Sequence, residues 1–146
     1  MEKKRWFHLV FLVALSLSVL LALSISGRRA SAASCYADGC NGKDPYGTTC
    51  WNDAYNAVVK YGPSGSYFYN ANKYSPGCVA NWSHTQSTNG AAYLAAETSG
   101  VYTYHGTQRF VYVWNIMWDG RNTVCTRGYK GSAYKQYQWV TPYGCA

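Results

Sequence analysis

Past residue 32 the chain holds two histidines, His84 and His105, and five acids, Asp38, Asp44, Asp53, Glu97 and Asp119. A catalytic histidine needs a nucleophile or an orienting carboxylate within hydrogen-bond reach. No spacing here sets an acid beside either histidine. A carboxylate pair for glycoside hydrolysis can be drawn from five acids in too many ways to single one out. Asp44, within Gly42-Lys43-Asp44-Pro45, is the acid in the most distinctive polar motif, and with Lys43 beside it the carboxylate could serve as a general base. The same run also reads as a tight turn, because Asx and Pro residues set turns through their own backbone, and that reading is favoured. Asp44 and His84 are the candidates for acid–base chemistry. The expectation is nonetheless no catalytic residue, no cofactor and no metal.

The aromatic residues offer a second chemistry. Phe110, Tyr112, Trp114 and Trp118 alternate along one stretch, and Arg121 and Arg127 follow it. Asp119-Gly120 is a hairpin signal, since a type I′ turn needs positive φ at both central residues. A two-residue turn there would set Trp118 opposite Arg121, Ile116 opposite Thr123, Trp114 opposite Cys125 and Tyr112 opposite Arg127. Aromatic faces beside cations suit stacking on sugar rings, and a cation–π pair would hold Trp118 to Arg121. The binding candidates are therefore Trp118, Arg121, Tyr112 and Arg127. Ile116 and Cys125 share that face and belong in a core, which draws Trp114 inward as well. Fifteen tyrosines exceed what so small a core can bury. Many must be exposed, where Tyr provides adaptable contact at low entropy cost.

These residues must be positioned by a short chain. Its 146 residues leave room for one domain, and 13% charged with 17% aromatic residues argues against disorder. Lys3, Lys4 and Arg5 precede an apolar run from Leu9 to Ile25, with Ala30-Ser31-Ala32 behind it. This predicts a secretory signal over residues 1–32, cleaved after Ala32. The alternative is an uncleaved membrane anchor, because Arg28 and Arg29 lie between the run and the cleavage site. The leader holds five of the thirteen basic residues and one of the six acids, so the formal +7 falls to +3 over 33–146. A nucleic-acid partner is not expected on that charge.

All six cysteines, Cys35, Cys40, Cys50, Cys78, Cys125 and Cys145, lie beyond the leader. An even count in a short exported domain predicts three disulfides. Their spacings fit no zinc pattern, which uses ligand pairs two to four residues apart, and connectivity stays open among fifteen possibilities.

One helix is predicted over Cys50–Lys60, where Trp51, Ala54, Tyr55 and Val58 form an apolar stripe, Thr48 or Thr49 caps the start, and Gly62-Pro63 ends it. Strands are expected over 66–74, 79–85, 101–105, 109–118 and 134–140, with a turn at Ser75-Pro76-Gly77 and Ala91–Glu97 ambiguous. The fold class is mainly β: a small antiparallel, curled or barrel-like sheet with one packed helix, stapled by disulfides.

Cys35-x4-Cys40-Asn41-Gly42-Lys43-Asp44-Pro45, then Cys50 with Asp53-Ala54, then Lys73-Tyr74-Ser75-Pro76-x-Cys78-x3-Trp82 resembles the DUF2690 family of small exported or membrane-tethered bacterial proteins. The resemblance covers the stretch from Cys35 to His84. It implies an extracytoplasmic bacterial domain and carries no activity with it. The family core looks like a four-cysteine unit matching Cys35, Cys40, Cys50 and Cys78, which implies that Cys125 pairs with Cys145. Asn70 and Asn72 depart from the family pattern, standing at strand positions that are usually aliphatic.

The functional expectation is a secreted, cell-wall-associated or extracellular monomer that binds wall polymer or another extracellular ligand through an aromatic, mildly basic surface. The main alternative is a secreted antagonist or toxin acting on competing cells. A small wall-active hydrolase is a third. A membrane enters only if the leader is retained.

Overall fold

The computed structural model describes residues 34–98 and 102–146, so the leader lies outside the described residues. Two antiparallel sheets contain the strands. In the first, β1 (Tyr55–Tyr61), β2 (Phe68–Ser75) and β3 (Ala80–Ser87) form a meander. In the second, β4 (Tyr93–Thr98) lies between β5 (Tyr102–His105) and a later strand. The chain then returns to the first sheet, where β6 (Tyr112–Trp114) and β7 (Trp118–Asp119) follow one another along β3. It finishes in the second with β8 (Cys125–Ala133), the strand beside β4, and then β9 (Gln136–Val140) and β10 (Gly144–Cys145), which both pair with β8. Among the described residues no helix is long and apolar enough to cross a membrane.

The facing sides of the sheets carry an unusual lining. Asn70, Asn72, Asn81, Ser83, Thr85 and Thr126 are all buried there. Thr126 Oγ1 donates to Asn70 Oδ1 at 2.8 Å, while the Asn70 amide donates to Ser83 Oγ at 2.7 Å and Thr85 Oγ1 at 3.1 Å. Asn72 Nδ2 donates to the carbonyls of Val124 and Gly144, and its Oδ1 accepts from Asn81 Nδ2. Thr85 Oγ1 reaches the Ala95 carbonyl at 2.9 Å. Buried polar groups are tolerated when each finds a partner, and here side chains of one sheet bond the backbone of the other. Close approach makes this feasible. A Cβ on Gly128 of β8 would lie 2.5 Å from Thr85 Oγ1 and 3.0 Å from Asn70 Cβ. One end of the layer is apolar, where Ala92, Leu94, Ala96 and Val113 pack with Tyr104 and Phe110.

The larger apolar cluster sits on the opposite face of the first sheet. Residues 34–54 cover it in three 3₁₀ turns, Ala37–Cys40, Pro45–Gly47 and Thr49–Asp53. Disulfides Cys35–Cys40 and Cys50–Cys78 close this cap over fully buried Trp82, Ala80 and Met117. The main chain joins in: Met117 N donates to the Lys43 carbonyl, and Gly42 N to the Met117 carbonyl. The third disulfide, Cys125–Cys145, links directly opposed residues of β8 and β10. This is the pairing that the family resemblance implied.

Three sequence expectations need correction. The helix over 50–60 is absent: Cys50 to Asp53 ends a 3₁₀ turn and 55–61 is β1. Thr48 does cap that turn, its hydroxyl accepting from Cys50 N. The helical spacing joins two different elements: Trp51 and Ala54 belong to the 3₁₀ turn and its end, and Tyr55 and Val58 to a bulged strand. The register slips between Asn56 and Val58, which breaks the period-two pattern. The Asp119-Gly120 hairpin is also absent. Neither residue has positive φ, and the Asp119 carboxylate instead accepts from Arg121 N and Nε. Gly120 is there for space, since a Cβ would meet Asn81 Oδ1 at 2.6 Å and the Tyr74 ring at 2.9 Å. The chain turns here from one sheet to the other, so Tyr112 and Trp114 pair with Gln86 and His84 rather than with Arg127 and Cys125. Finally, two facing sheets replace the single curled one. Ala91–Glu97, ambiguous in sequence, lies largely in β4.

Candidate binding site

The pairing of β3 with β6 puts His84 opposite Trp114 and Gln86 opposite Tyr112, so His84, Tyr112 and Trp114 share the cap-facing side of the first sheet. The cap then brings two more rings. Asp44 starts the Pro45–Gly47 turn, its Oδ1 accepting from Tyr46 N at 2.9 Å, and Pro45 supplies the fixed φ of a first helical position. The same Oδ1 accepts from Trp114 Nε1 at 2.9 Å. The favoured turn reading of Asp44 therefore agrees with its geometry, and this carboxylate also clamps the cap to β6.

The rings form a continuous run. Trp51 stacks on Tyr46 with centroids 3.9 Å apart, Tyr46 lies 4.1 Å from Trp114, Trp114 5.9 Å from Tyr112, and Tyr112 stacks on His84 at 5.5 Å. The Lys73 ammonium lies 5.1 Å over the Trp51 ring, a cation–π contact. Beside this run an open cleft of about 270 Å³ is walled by Tyr104, Phe110, Tyr112, Trp114 and Ile116, with Asp44 at its polar end. Tyr46 and Tyr112 are exposed at 36% and 45%, so the rim of the cleft is aromatic and accessible.

Burial sets the electrostatics along this run of rings. Burial, with the Lys73 charge adding to it, pushes the His84 imidazole down to about 4, so the ring is neutral near pH 7. Among the described residues its Nδ1 has no hydrogen-bond partner, and neither has the indole N–H of Trp82. Burial first, then Tyr112 and Asp44, raises the Tyr46 hydroxyl to about 12. Lys73 is pulled below its usual range by burial. Among the described residues no hydrogen bond joins His84 to Asp44, so the two acid–base candidates form no dyad. The group that could hold a metal is Cys35, Cys40, Cys50 and Cys78, whose sulfurs lie within 4.8 Å of one another. All four are in disulfides, and a disulfide sulfur offers no thiolate to a metal.

The four binding candidates from sequence do not share one surface. Tyr112 is on the cleft. Trp118 is half-buried in β7 opposite Asn81. Arg121 pairs with Asp119 at 2.6 Å and Asp38 at 3.2 Å, and among the described residues no cation–π contact joins it to Trp118. Arg127 belongs to the second sheet. There it bonds Glu97 at 2.9 Å and lies 4.4 Å over Tyr143. Glu97 also accepts from the hydroxyls of Tyr129 and Tyr143. Burial would raise this carboxyl, but the two tyrosines and Arg127 outweigh it and hold the group below its usual range. His105 bonds Tyr137 on the same sheet. Sequence reasoning missed Tyr46, Trp51 and Tyr104. Asp44-Pro45-Tyr46 was the available signal, because a turn started by Asp and Pro presents the next side chain outward.

Compared with known proteins, the chain matches no protein-family model, no curated protein and no solved structure.

Proposed function

We propose that the protein is a non-catalytic binding module that takes an uncharged ring, most simply a sugar unit of a cell-envelope or other extracellular polymer, in the aromatic cleft beside β6. The observation that carries this reading is the cleft itself: Tyr104, Phe110, Tyr112 and Trp114 wall about 270 Å³ of open space with one committed carboxylate. Ligand sites run from about 300 to 1,000 Å³, so this cleft suits one ring of a longer chain. The apolar face of a sugar stacks on such rings, and Trp114 is already held in place by Asp44. Two features support an extracellular setting: the leader-like residues 1–32 and three disulfides, which persist in oxidising compartments. The DUF2690-like pattern from Cys35 to His84 points the same way.

The test is co-sedimentation of the oxidised protein with purified cell-wall sacculi at about 50 and 500 mM salt, where charges are screened beyond roughly 14 and 4 Å. Stacking predicts retention at both salts. Tyr112→Ala should weaken it about tenfold, in line with the loss of one aromatic contact, while the melting temperature stays within a few degrees because the ring is exposed. Retention at low salt alone, or retention indifferent to Tyr112→Ala, would sink the proposal.

A further inference from the structure

A second recess, of about 390 Å³, lies between Gly65-Ser66, the segment around Asn89, and strands β8 and β9, the latter through Trp139. Lys130 is at its base, only 6% exposed. Its ammonium donates to the carbonyls of Ser66 at 2.8 Å and Tyr67 at 3.3 Å and to Asn89 Oδ1 at 2.6 Å. Its three protons thus meet three neutral oxygens, and among the described residues no carboxylate lines the recess. A buried cation without a counter-charge is costly.

Three polar side chains around the recess keep donors to give. Asn89 Oδ1 also accepts from the Ser87 hydroxyl at 3.1 Å, so this oxygen is doubly engaged and the amide NH2 is left without a partner among the described residues. Arg109 donates Nε to the Ala91 carbonyl at 2.9 Å, and its two terminal NH2 groups have no partner among the described residues. Ser132 Oγ accepts from Gln138 Nε2 at 3.3 Å, which leaves its proton to give. Both charges are positive, three side chains have donors to give, and Trp139 offers a ring face.

We propose that this recess is a second binding site, specific for an oxyanion, a carboxylate or a phosphate, carried on a group that packs against Trp139. Arg109 takes the anion through its guanidinium fork, Asn89 and Ser132 add neutral donors, and Lys130 supplies the field while fixing the Asn89 amide. A guanidinium matches both anions because each presents two oxygens at fork spacing. The inference stands apart from the aromatic cleft and survives if that cleft binds nothing.

The test follows the amides of Gly131 and Ser132 and the indole N–H of Trp139 by NMR during titration with sodium phosphate or sodium acetate, with chloride holding ionic strength constant. Saturable shifts confined to these groups are expected, and the tighter anion identifies the source as phosphoryl or carboxylate. Asn89→Asp is the informative variant. It keeps an acceptor for Lys130, so the melting temperature holds or rises, yet it replaces the free donor with a negative charge and should abolish binding. Arg109→Gln, at an exposed position, should weaken binding at least about tenfold, as loss of a charge-assisted pair does. The proposal fails if neither anion gives a saturable shift. It fails equally if chloride alone reproduces the shifts, or if Asn89→Asp binds as well as the parent.

Discussion

The two faces of the first sheet are built on opposite principles. Toward the second sheet it presents Asn70, Asn72, Asn81, Ser83 and Thr85, and toward the cap Ala71, Ala80, Trp82 and His84. Both faces are buried. The cap-facing side is held by apolar contact and two disulfides, forces that scale with area and with chain entropy and tolerate modest misfit. The inner side is held by directional hydrogen bonds, several of them from a side chain to the other sheet's backbone. Such a layer specifies one register strictly, because a displaced amide leaves several partners unsatisfied. The chain thus places its adaptable packing beside the candidate binding cleft and its strict packing where the two sheets must align.

The largest test of this contrast replaces an inner asparagine with an apolar residue. Asn72→Leu removes the side-chain bonds to the Val124 and Gly144 carbonyls and to the Asn81 amide; the Val124 carbonyl keeps Ala146 N, and the Gly144 carbonyl and the Asn81 amide lose the partner that Asn72 gives them. At 1–3 kcal/mol for each buried unsatisfied group, the loss in urea denaturation should be about 4 kcal/mol. A loss below about 1 kcal/mol would mean that the inner face behaves as an ordinary apolar layer. On the cap side, Cys50→Ser with Cys78→Ser opens a closure spanning 28 residues, which costs about 3.5 kcal/mol in the chain-entropy model. The inter-sheet bonds should persist, so amides of β8 are expected to stay protected from exchange at low denaturant while those of the cap do not.

The smallest effect is a pH dependence that separates the two sheets. His84 is depressed from 6.5 to about 4 in the folded protein, so between those values the unfolded chain binds more protons. Stability from this group is complete above about 6.5 and is lost as pH falls toward 4, by about 2–3 kcal/mol at 1.36 kcal/mol per unit. Glu97, on the second sheet, is depressed from 4.5, so its contribution is lost only at lower pH. Chemical denaturation from pH 7 to 4.5 should therefore show a slope that His84→Gln removes and Glu97→Gln leaves in place.

Much of the cap was legible because its signals are local. Six cysteines beyond an export-like leader announced the staples, and Asp44-Pro45 announced a turn that Asp44 indeed caps. Strands β2 and β3 were visible as short runs on either side of the Ser75-Pro76-Gly77 turn. The helix misreading shows where local signals fail, since a 3₁₀ turn running into a bulged strand reproduces helical spacing. Asp119-Gly120 teaches a related lesson. The pair fits a type I′ turn by composition, but Gly120 answers to crowding from Tyr74 and Asn81, residues remote in sequence. The inner face was least legible. Asn70 and Asn72 stood out as polar residues in a strand, but their partners lie 56 and 52 residues further along the chain. No local pattern distinguishes a solvated amide from one matched to a distant carbonyl. The same distance hid the cleft, whose walls come from the cap, β5, the 110 region and β6.

The polar layer between the sheets also sets how the molecule responds to temperature. Exposing apolar surface raises the heat capacity of unfolding by about 0.45 cal/mol/K per Å², whereas exposing polar surface lowers it by about 0.26. Unfolding here releases the amides and hydroxyls of Asn70, Asn72, Asn81, Ser83, Thr85 and Thr126 from the space where most domains release Leu, Ile and Val. The heat-capacity increment accordingly falls below the customary 12–15 cal/mol/K per residue, an order-of-magnitude norm. With less curvature in its free energy, the folded state changes little in stability between cold and warm surroundings.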